Sequence, residues 1–166
     1  NILVPALLGL PGVAAHSQPE SQPNMVLFLA DDCTYFDIGC YGSKDSKTPN
    51  IDKFASEGML FTKGYQSVPM SSPTRHNLYT GIWPVKSGAY PNHTMADTGT
   101  LSIVNHLKSV GYRVALVGKS HVSPNSVFPF EYVDLTASND IDFNAVDTFI
   151  YSCTSKNQPF CLFVTS

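Results

Sequence analysis

The chain has 166 residues, of which 43% are hydrophobic and 14% charged, and its net charge is −3 at pH 7. This composition is typical of a globular domain with a buried core, and it excludes an intrinsically disordered chain. The acidic balance, with no long Lys/Arg run, argues against a nucleic-acid partner, because nucleic-acid binding requires a basic face.

The N-terminal segment is apolar and ends in the small residues Val13, Ala14 and Ala15. This pattern is typical of the end of a secretory signal peptide and is too short to span a bilayer. A buried N-terminal segment is the alternative. Because the chain starts with Asn1 rather than Met, we interpret residues 1–15 as a signal-peptide remnant, followed by a polar linker at residues 16–23. We therefore expect the protein to be exported and not to insert stably into a membrane. In a bacterium it would reach the periplasm or the outside of the cell, and in a eukaryote it would reach the lysosome or be secreted.

Strand-like and helix-like segments alternate after the linker. Apolar runs predict strands at residues 25–30, 59–65, 113–118 and 159–165, and helical spacing with caps predicts helices at residues 48–57, 101–110 and 141–155. Such alternation predicts an α/β fold with a mainly parallel sheet sandwiched by helices. Continuous apolar runs indicate strands buried on both faces. The last of these runs closes the chain, and we expect it to form an exposed sheet edge.

Polar residues follow two of the predicted strands. Asp31 and Asp32 come directly after the first strand, and Lys119 and His121 follow the strand at residues 113–118. Ligands of parallel sheets bind beyond the carboxyl ends of the strands, so these side chains are expected to meet. Adjacent carboxylates favour a hard cation with oxygen ligands, such as Ca²⁺, because like charges raise each other's pKa. A simple turn or helix cap is the alternative.

The segment from Ser71 to Gly81 has the pattern S-x-P-x-R-x-x-L-x-T-G. Ser71 and Arg75 are four residues apart and share one face if the segment is helical. A helix N-terminus offers free N–H groups and a positive dipole to an anion. The alternative is a proline-containing helix start without a catalytic role.

This pattern resembles the signature of the type I sulfatases, and residues 24–52 and the Gly-Lys-x-His element ending at His121 resemble further parts of that family. The resemblance extends over residues 24–166. It implies an alkaline-phosphatase/sulfatase-like fold, of which residues 24–166 would be the incomplete N-terminal part of the catalytic domain. We therefore expect these 166 residues to be inactive and prone to aggregation by themselves.

The resemblance also implies roles for particular residues. In the family, the first motif residue is oxidised to formylglycine, whose hydrated aldehyde attacks sulfur. Ser71 would thus be the nucleophile precursor, modified by a formylglycine-generating enzyme of the serine-type, anaerobic kind. Arg75, Lys119 and His121 would act in catalysis. Asp31 and Asp32, together with residue 71, would bind one Ca²⁺ ion.

The substrate class follows from a narrower resemblance. Residues 118–122 and 127–130 are similar to the heparan N-sulfatase branch of the family. This implies hydrolysis of sulfate esters or sulfamates of glycosaminoglycan sugars, with N-sulfoglucosamine favoured. A phosphatase or phosphonate hydrolase of the same superfamily, using unmodified Ser71, is one alternative. An inactive sulfatase-like binding module is the other.

The remaining candidate residues are less informative. The four cysteines allow three disulfide pairings, and without a C-x-x-C pair a zinc site is not expected. We expect at least two of them to be free core thiols. Asn92, His93 and Thr94 form a glycosylation sequon, which we discount because a serine-type motif is typical of bacteria. His16, His76, His93 and His106 lie in no motif, although His93 is a candidate pocket residue.

Overall fold

A parallel β-sheet organises the chain. The structure is a computed structural model and describes residues 22–134 and 141–166. The sheet strands in these residues are β1 (Met25–Leu29), β2 (Arg113–Gly118), β3 (Glu131–Asp134) and β4 (Phe160–Thr165). Their order is β1-β4-β2-β3, and every neighbouring pair is parallel. The predicted α/β class is confirmed.

Five α-helices lie within the described residues: α1 (Pro49–Glu57), α2 (Ser71–Thr80), α3 (Pro84–Ser87), α4 (Ile103–Ser109) and α5 (Phe143–Thr154). Short 3₁₀ turns occur at Tyr35–Asp37 and Gly39–Tyr41. The caps explain where α4 and α5 begin. Ser102 forms a capping box with Asn105, and the Asp142 carboxylate accepts from two backbone N–H groups of the first turn. Both helices match the predicted segments to within two residues.

The core lies on both faces of the sheet. Successive residues of a strand point to opposite faces, and β2 shows this clearly. Val114 and Leu116 pack into a cluster with Tyr79 of α2, whereas Val117 packs with Phe149 of α5 on the opposite face. Helices therefore cover the sheet from both sides, as predicted.

Strand β4 does not form a sheet edge, and the expectation that it would is wrong. It pairs with β1 on one side and β2 on the other, and all six of its residues are buried. The prediction that β1 is buried on both faces is also wrong. Burial alternates along β1, and Phe28 on its outward face is 75% exposed.

The strand predicted at residues 59–65 is absent; these residues have no regular structure. Apolar side chains gave the strand-like pattern, but no strand among the described residues pairs with this segment. The carbonyl of Phe61 instead accepts a hydrogen bond from the Tyr41 hydroxyl, at 2.9 Å. Met59 and Tyr65 are exposed.

The signal-peptide remnant predicted at residues 1–15, and the predicted linker up to residue 21, lie outside the described residues. No helix within the described residues is long and apolar enough to cross a membrane. All four cysteines are free, with Cys153 and Cys161 buried, which confirms the expected core thiols.

Candidate active site

Helix α2 begins at Ser71, the first residue of the motif. Pro73 lies in its first turn, where its missing N–H is not needed, and both Ser72 and Pro73 are buried. The helix ends at Gly81, which has φ of 68° and donates its N–H to the Asn77 carbonyl. Ser71 is partly buried at the N-terminus of α2, where it lines a cleft.

Arg75 is the most deeply buried charged residue of the site, with 1% of its surface exposed. Its guanidinium donates to the carbonyl of Lys119 at 2.8 Å and to that of Ser166 at 2.9 Å. It also lies 3.4 Å from Oδ1 of Asp31. Arg75 thus joins α2 to the residues that follow β1, β2 and β4.

Asp31 carries the negative charge of this cluster. The ammonium of Lys119 contacts its Oδ2 atom, and Arg75 approaches Oδ1. Burial by itself raises the pKa of the carboxyl, but the hydrogen bond from Lys119 and the charges of Arg75 and Lys119 outweigh it. The net effect lowers the pKa of Asp31 below its ordinary value of 3.8. Asp31 is therefore ionised at neutral pH.

His121 contacts the predicted nucleophile directly. Its Nδ1 atom lies 2.7 Å from Oγ of Ser71, and its Nε2 atom lies 2.9 Å from Nδ1 of His93. Burial, together with the positive charge of Lys119, lowers the pKa of His121 below 6.5. The imidazole is therefore mainly neutral at pH 7. Motif reasoning did not single out His93 as part of this arrangement.

The Gly-Lys-x-His element does not continue the extended conformation of β2. On an extended chain, two side chains that are two residues apart, such as those of Lys119 and His121, would point the same way. Instead Gly118 has φ of 84° and His121 has φ of 50°, and the two side chains reach different partners. Lys119 contacts Asp31, whereas His121 contacts Ser71.

Left-handed backbone conformations concentrate around these side chains. Three of the four non-glycine residues with positive φ among the described residues are Asp32, His93 and His121. Such conformations cost free energy for residues with a Cβ atom and are frequent at functional sites.

A cleft of about 160 Å³ lies beside the cluster. Asp31, Asp32 and Ser71 line it, together with Gln66 and Cys33. The structure thus brings together the predicted residues after β1 and at the start of α2. Lys119 contacts Asp31 and His121 contacts Ser71, although neither lines the cleft. His76 does not take part in the candidate site, because its ring is buried and hydrogen-bonded to two backbone carbonyls.

The same cleft is the candidate metal site. Asp31, Asp32 and Ser71 provide side-chain oxygen atoms that suit a hard cation, and the ammonium of Lys119 already places positive charge against Asp31. Three side chains are fewer than the six to eight ligands typical of Ca²⁺. Within residues 22–134 and 141–166, no cluster of three or more His, Cys, Asp or Glu side chains could hold a metal ion.

The parallel sheet between helices, with a polar cleft beyond its strand ends and a serine at a helix N-terminus, agrees with the alkaline-phosphatase/sulfatase-like class of α/β folds. A family model described as Sulfatase matches residues 23–161, and the chain belongs to that family. Individual members of the family are also similar to this chain in sequence. An ulvan-active sulfatase of Formosa agariphila is 36% identical over 150 residues, covering 89% of this chain and 30% of the relative. Human arylsulfatase A is 37% identical over 130 residues, covering 74% of this chain and 25% of the relative.

Solved structures share the fold. One, a protein in complex with its substrate D-glucosamine-2-N,6-O-disulfate, has a TM-score of 0.71 at 23% identity, covering 87% of this chain and 34% of that chain. The phosphonate monoester hydrolase of Agrobacterium radiobacter also has a TM-score of 0.71, at 18% identity, covering 87% of this chain and 40% of that chain. At these identities the two structures support the fold alone. The chain spans about a third or less of the length of its sequence relatives.

Proposed function

We propose that the complete protein is an exported sulfatase that hydrolyses sulfated sugars by means of a formylglycine derived from Ser71. The observation that carries the proposal is the 2.7 Å contact between Ser71 Oγ and His121 Nδ1 at the edge of the cleft. Family membership supports the reaction class. The names of the relatives, among them an ulvan-active sulfatase, support a sugar substrate.

Each side chain of the site has a chemical task in this proposal. Formylglycine, when present, supplies the oxygen nucleophile at position 71. His121 holds that oxygen through Nδ1 and is mainly neutral at pH 7. Lys119 is partly exposed and brings positive charge to the sulfate oxygens, whereas the buried Arg75 fixes the residues around them.

The proposal includes one Ca²⁺ ion bound in the cleft. Asp31 and Asp32, with the oxygen at position 71, would hold one Ca²⁺ ion, and its charge would favour the deprotonated nucleophile. Ligands beyond these three side chains would complete its coordination. Asp31 is suited to the task because its lowered pKa keeps it ionised.

The substrate within this class is proposed from the Gly118–Val122 segment. N-sulfoglucosamine is favoured over O-sulfated sugars, and the leaving amine would require protonation of nitrogen by a nearby acid. One alternative is a phosphatase or phosphonate hydrolase of the same superfamily, in which unmodified Ser71 attacks phosphorus; the phosphonate monoester hydrolase described above shares the fold.

The test combines peptide mass spectrometry with kinetics on the complete protein, produced with its native modification system. We expect the peptide containing residue 71 to be two hydrogens lighter than the serine peptide and to react with hydrazides. N-sulfoglucosamine, 6-O-sulfated N-acetylglucosamine, an aryl sulfate and a phenyl phosphonate are then compared by kcat/KM. Ser71→Ala should lower every sulfatase activity by at least about a hundredfold, and Ser56→Ala, an exposed serine on α1, serves as the control.

The outcomes separate the alternatives. Fully active protein with unmodified Ser71 would contradict the formylglycine proposal. Faster cleavage of either O-sulfate would remove the N-sulfate preference and leave the sulfatase proposal intact. Faster cleavage of the phosphonate would favour the hydrolase alternative, and inactivity on all four would favour a binding module.

A further inference from the structure

A row of hydrogen bonds leads from the Ser71 hydroxyl to the segment after α3. Ser71 Oγ contacts Nδ1 of His121, and His121 Nε2 contacts Nδ1 of His93, at 2.7 and 2.9 Å. The row ends at the Asn92 side chain, whose amide nitrogen lies 3.1 Å from His93 Nε2. Four side chains from three segments are thus connected in series.

The direction of these bonds follows from the chemistry of Asn92. With the amide nitrogen of Asn92 placed toward His93, Nε2 of His93 accepts this hydrogen bond and carries no proton. His93 then has its proton on Nδ1 and donates it to Nε2 of His121. A neutral His121 in turn has its proton on Nδ1 and donates it to the oxygen of Ser71.

The segment that carries His93 is fixed to the segment that carries His121. The backbone N–H of Ala96 donates to the carbonyl of Ser123 at 2.9 Å, which joins the two segments. Within the His93 segment, the Thr94 hydroxyl donates to the carbonyl of Pro91 at 2.5 Å. Both histidines have positive φ, at 63° for His93 and 50° for His121. Two strained backbone positions thus bring the two imidazoles together.

We propose that His93 is a positioning residue that holds the imidazole of His121 in one orientation and in the Nδ1–H tautomer. His93 acts on the nucleophile only through His121. The tautomer is a property of the folded chain, whereas the effect on turnover rests on the proposed sulfatase function.

The test measures both properties on the complete protein. Long-range ¹H–¹⁵N correlation spectra of ¹⁵N-histidine-labelled protein report which ring nitrogen of His121 carries the proton. We expect Nδ1–H in the parent protein. His93→Ala should populate both tautomers and lower kcat about ten- to hundredfold, with KM changed less than about threefold, because a small misplacement of a catalytic group costs rate.

Rescue by a matched substitution distinguishes positioning from general disruption. In His93→Asn, the side-chain amide nitrogen occupies the place of His93 Nδ1, still donates, and tolerates positive φ. This variant should keep the Nδ1–H tautomer and most of the kcat. His106→Ala, which removes another exposed histidine on α4, should change neither. If His93→Ala does not fold, His93→Gly removes the imidazole without strain at this φ.

The inference is overturned if His121 carries its proton on Nε2 in the parent protein. It is also overturned if removal of the His93 imidazole leaves the tautomer unchanged, or if it raises KM rather than lowering kcat. A parent protein that hydrolyses none of the sulfated substrates contradicts the proposed function, while the His121 spectra still decide the tautomer.

Discussion

Arg75 illustrates how one residue serves both the fold and the site. Two of its three partners are backbone carbonyls, those of Lys119 and Ser166, which follow two neighbouring strands. The planar guanidinium can donate to both at once and still approach Asp31. A lysine has one compact ammonium and could not span these acceptors. Arg75 therefore fixes the positions of the residues that carry the charge of the cleft.

Cys161 provides a residue-scale prediction about reactivity. Burial raises the pKa of its thiol from 9.0 to about 11. At pH 8 its thiolate fraction is then about a hundredfold lower than for an ordinary cysteine, and only the thiolate is nucleophilic. We expect iodoacetamide to label the exposed Cys33 of the folded protein within minutes and to leave Cys161 unmodified.

The measurement is a time course of peptide mass spectrometry at pH 8, repeated in denaturant. Cys161 should become reactive once the protein is unfolded, because its pKa then returns to the ordinary value. Equal labelling rates for Cys33 and Cys161 in the folded protein would contradict the burial of Cys161 on β4.

Motif residues could be predicted from the sequence, whereas the contact of His93 with His121 could not. Asp31 and Lys119, which follow two predicted strands, are brought together as the strand ends predicted, and His121 contacts Ser71. His93 lies in a loop with no pattern of its own. It reaches His121 through left-handed backbone conformations, and no apolar periodicity signals these.

At the scale of elements, the end of β2 depends on Gly118. Its φ is 84°, and a Cβ atom at this position would lie 1.9 Å from the carbonyl oxygen of Thr165. That carbonyl accepts the N–H of Lys119 at 3.0 Å, so the contact also fixes the start of the Gly-Lys-x-His element. We expect Gly118→Ala to lower the free energy of unfolding by more than about 2 kcal/mol, since left-handed strain alone costs 1–2 kcal/mol.

Gly99→Ala is the matched control, because a Cβ atom there meets no other atom within 4 Å and its φ is not in the left-handed range. Urea unfolding of both variants in the complete protein provides the comparison. Equal stability of the Gly118 and Gly99 variants would show that β2 and β4 do not approach as closely as described.

Capped helices were predicted well, and unpaired apolar runs were not. The segments of α4 and α5 carry their own caps, so local sequence is enough to define them. A strand additionally requires a partner, and the apolar pattern at residues 59–65 does not say whether one is present. For this reason the run at Phe160–Thr165 became a strand and the run at residues 59–65 did not.

At the scale of the whole molecule, the order of the strands in the sheet could not be predicted from the sequence. The alternation of strands and helices predicts a parallel sheet, but it is compatible with several orders. In the structure β4 lies between β1 and β2, and Leu29 pairs with Thr165 across most of the chain length. This pairing places Asp31 beside Ser166 and hence within reach of Arg75. The site therefore depends on contacts of high sequence separation, which local patterns do not encode.

The outward face of β1 leads to a prediction for these 166 residues by themselves. Phe28 is 75% exposed and Val26 is 47% exposed, and other exposed aromatic residues include Phe54, Phe61 and Tyr65. Exposed apolar surface on an edge strand recruits other chains. We expect the isolated chain to self-associate and to show no hydrolysis of an aryl sulfate. Light scattering during size-exclusion chromatography, over a concentration series, measures the association.

The double variant Val26→Thr with Phe28→Thr should reduce this self-association, because threonine retains β propensity while removing the apolar surface. Tyr151→Thr provides the matched control. Tyr151 is also 75% exposed but lies on α5, away from β1, so its replacement should leave the association nearly unchanged. If the unmodified chain is instead a monomer with one sharp unfolding transition, the exposed face of β1 does not drive association. If the two variants act equally, the apolar surface matters in general and the strand edge has no special role.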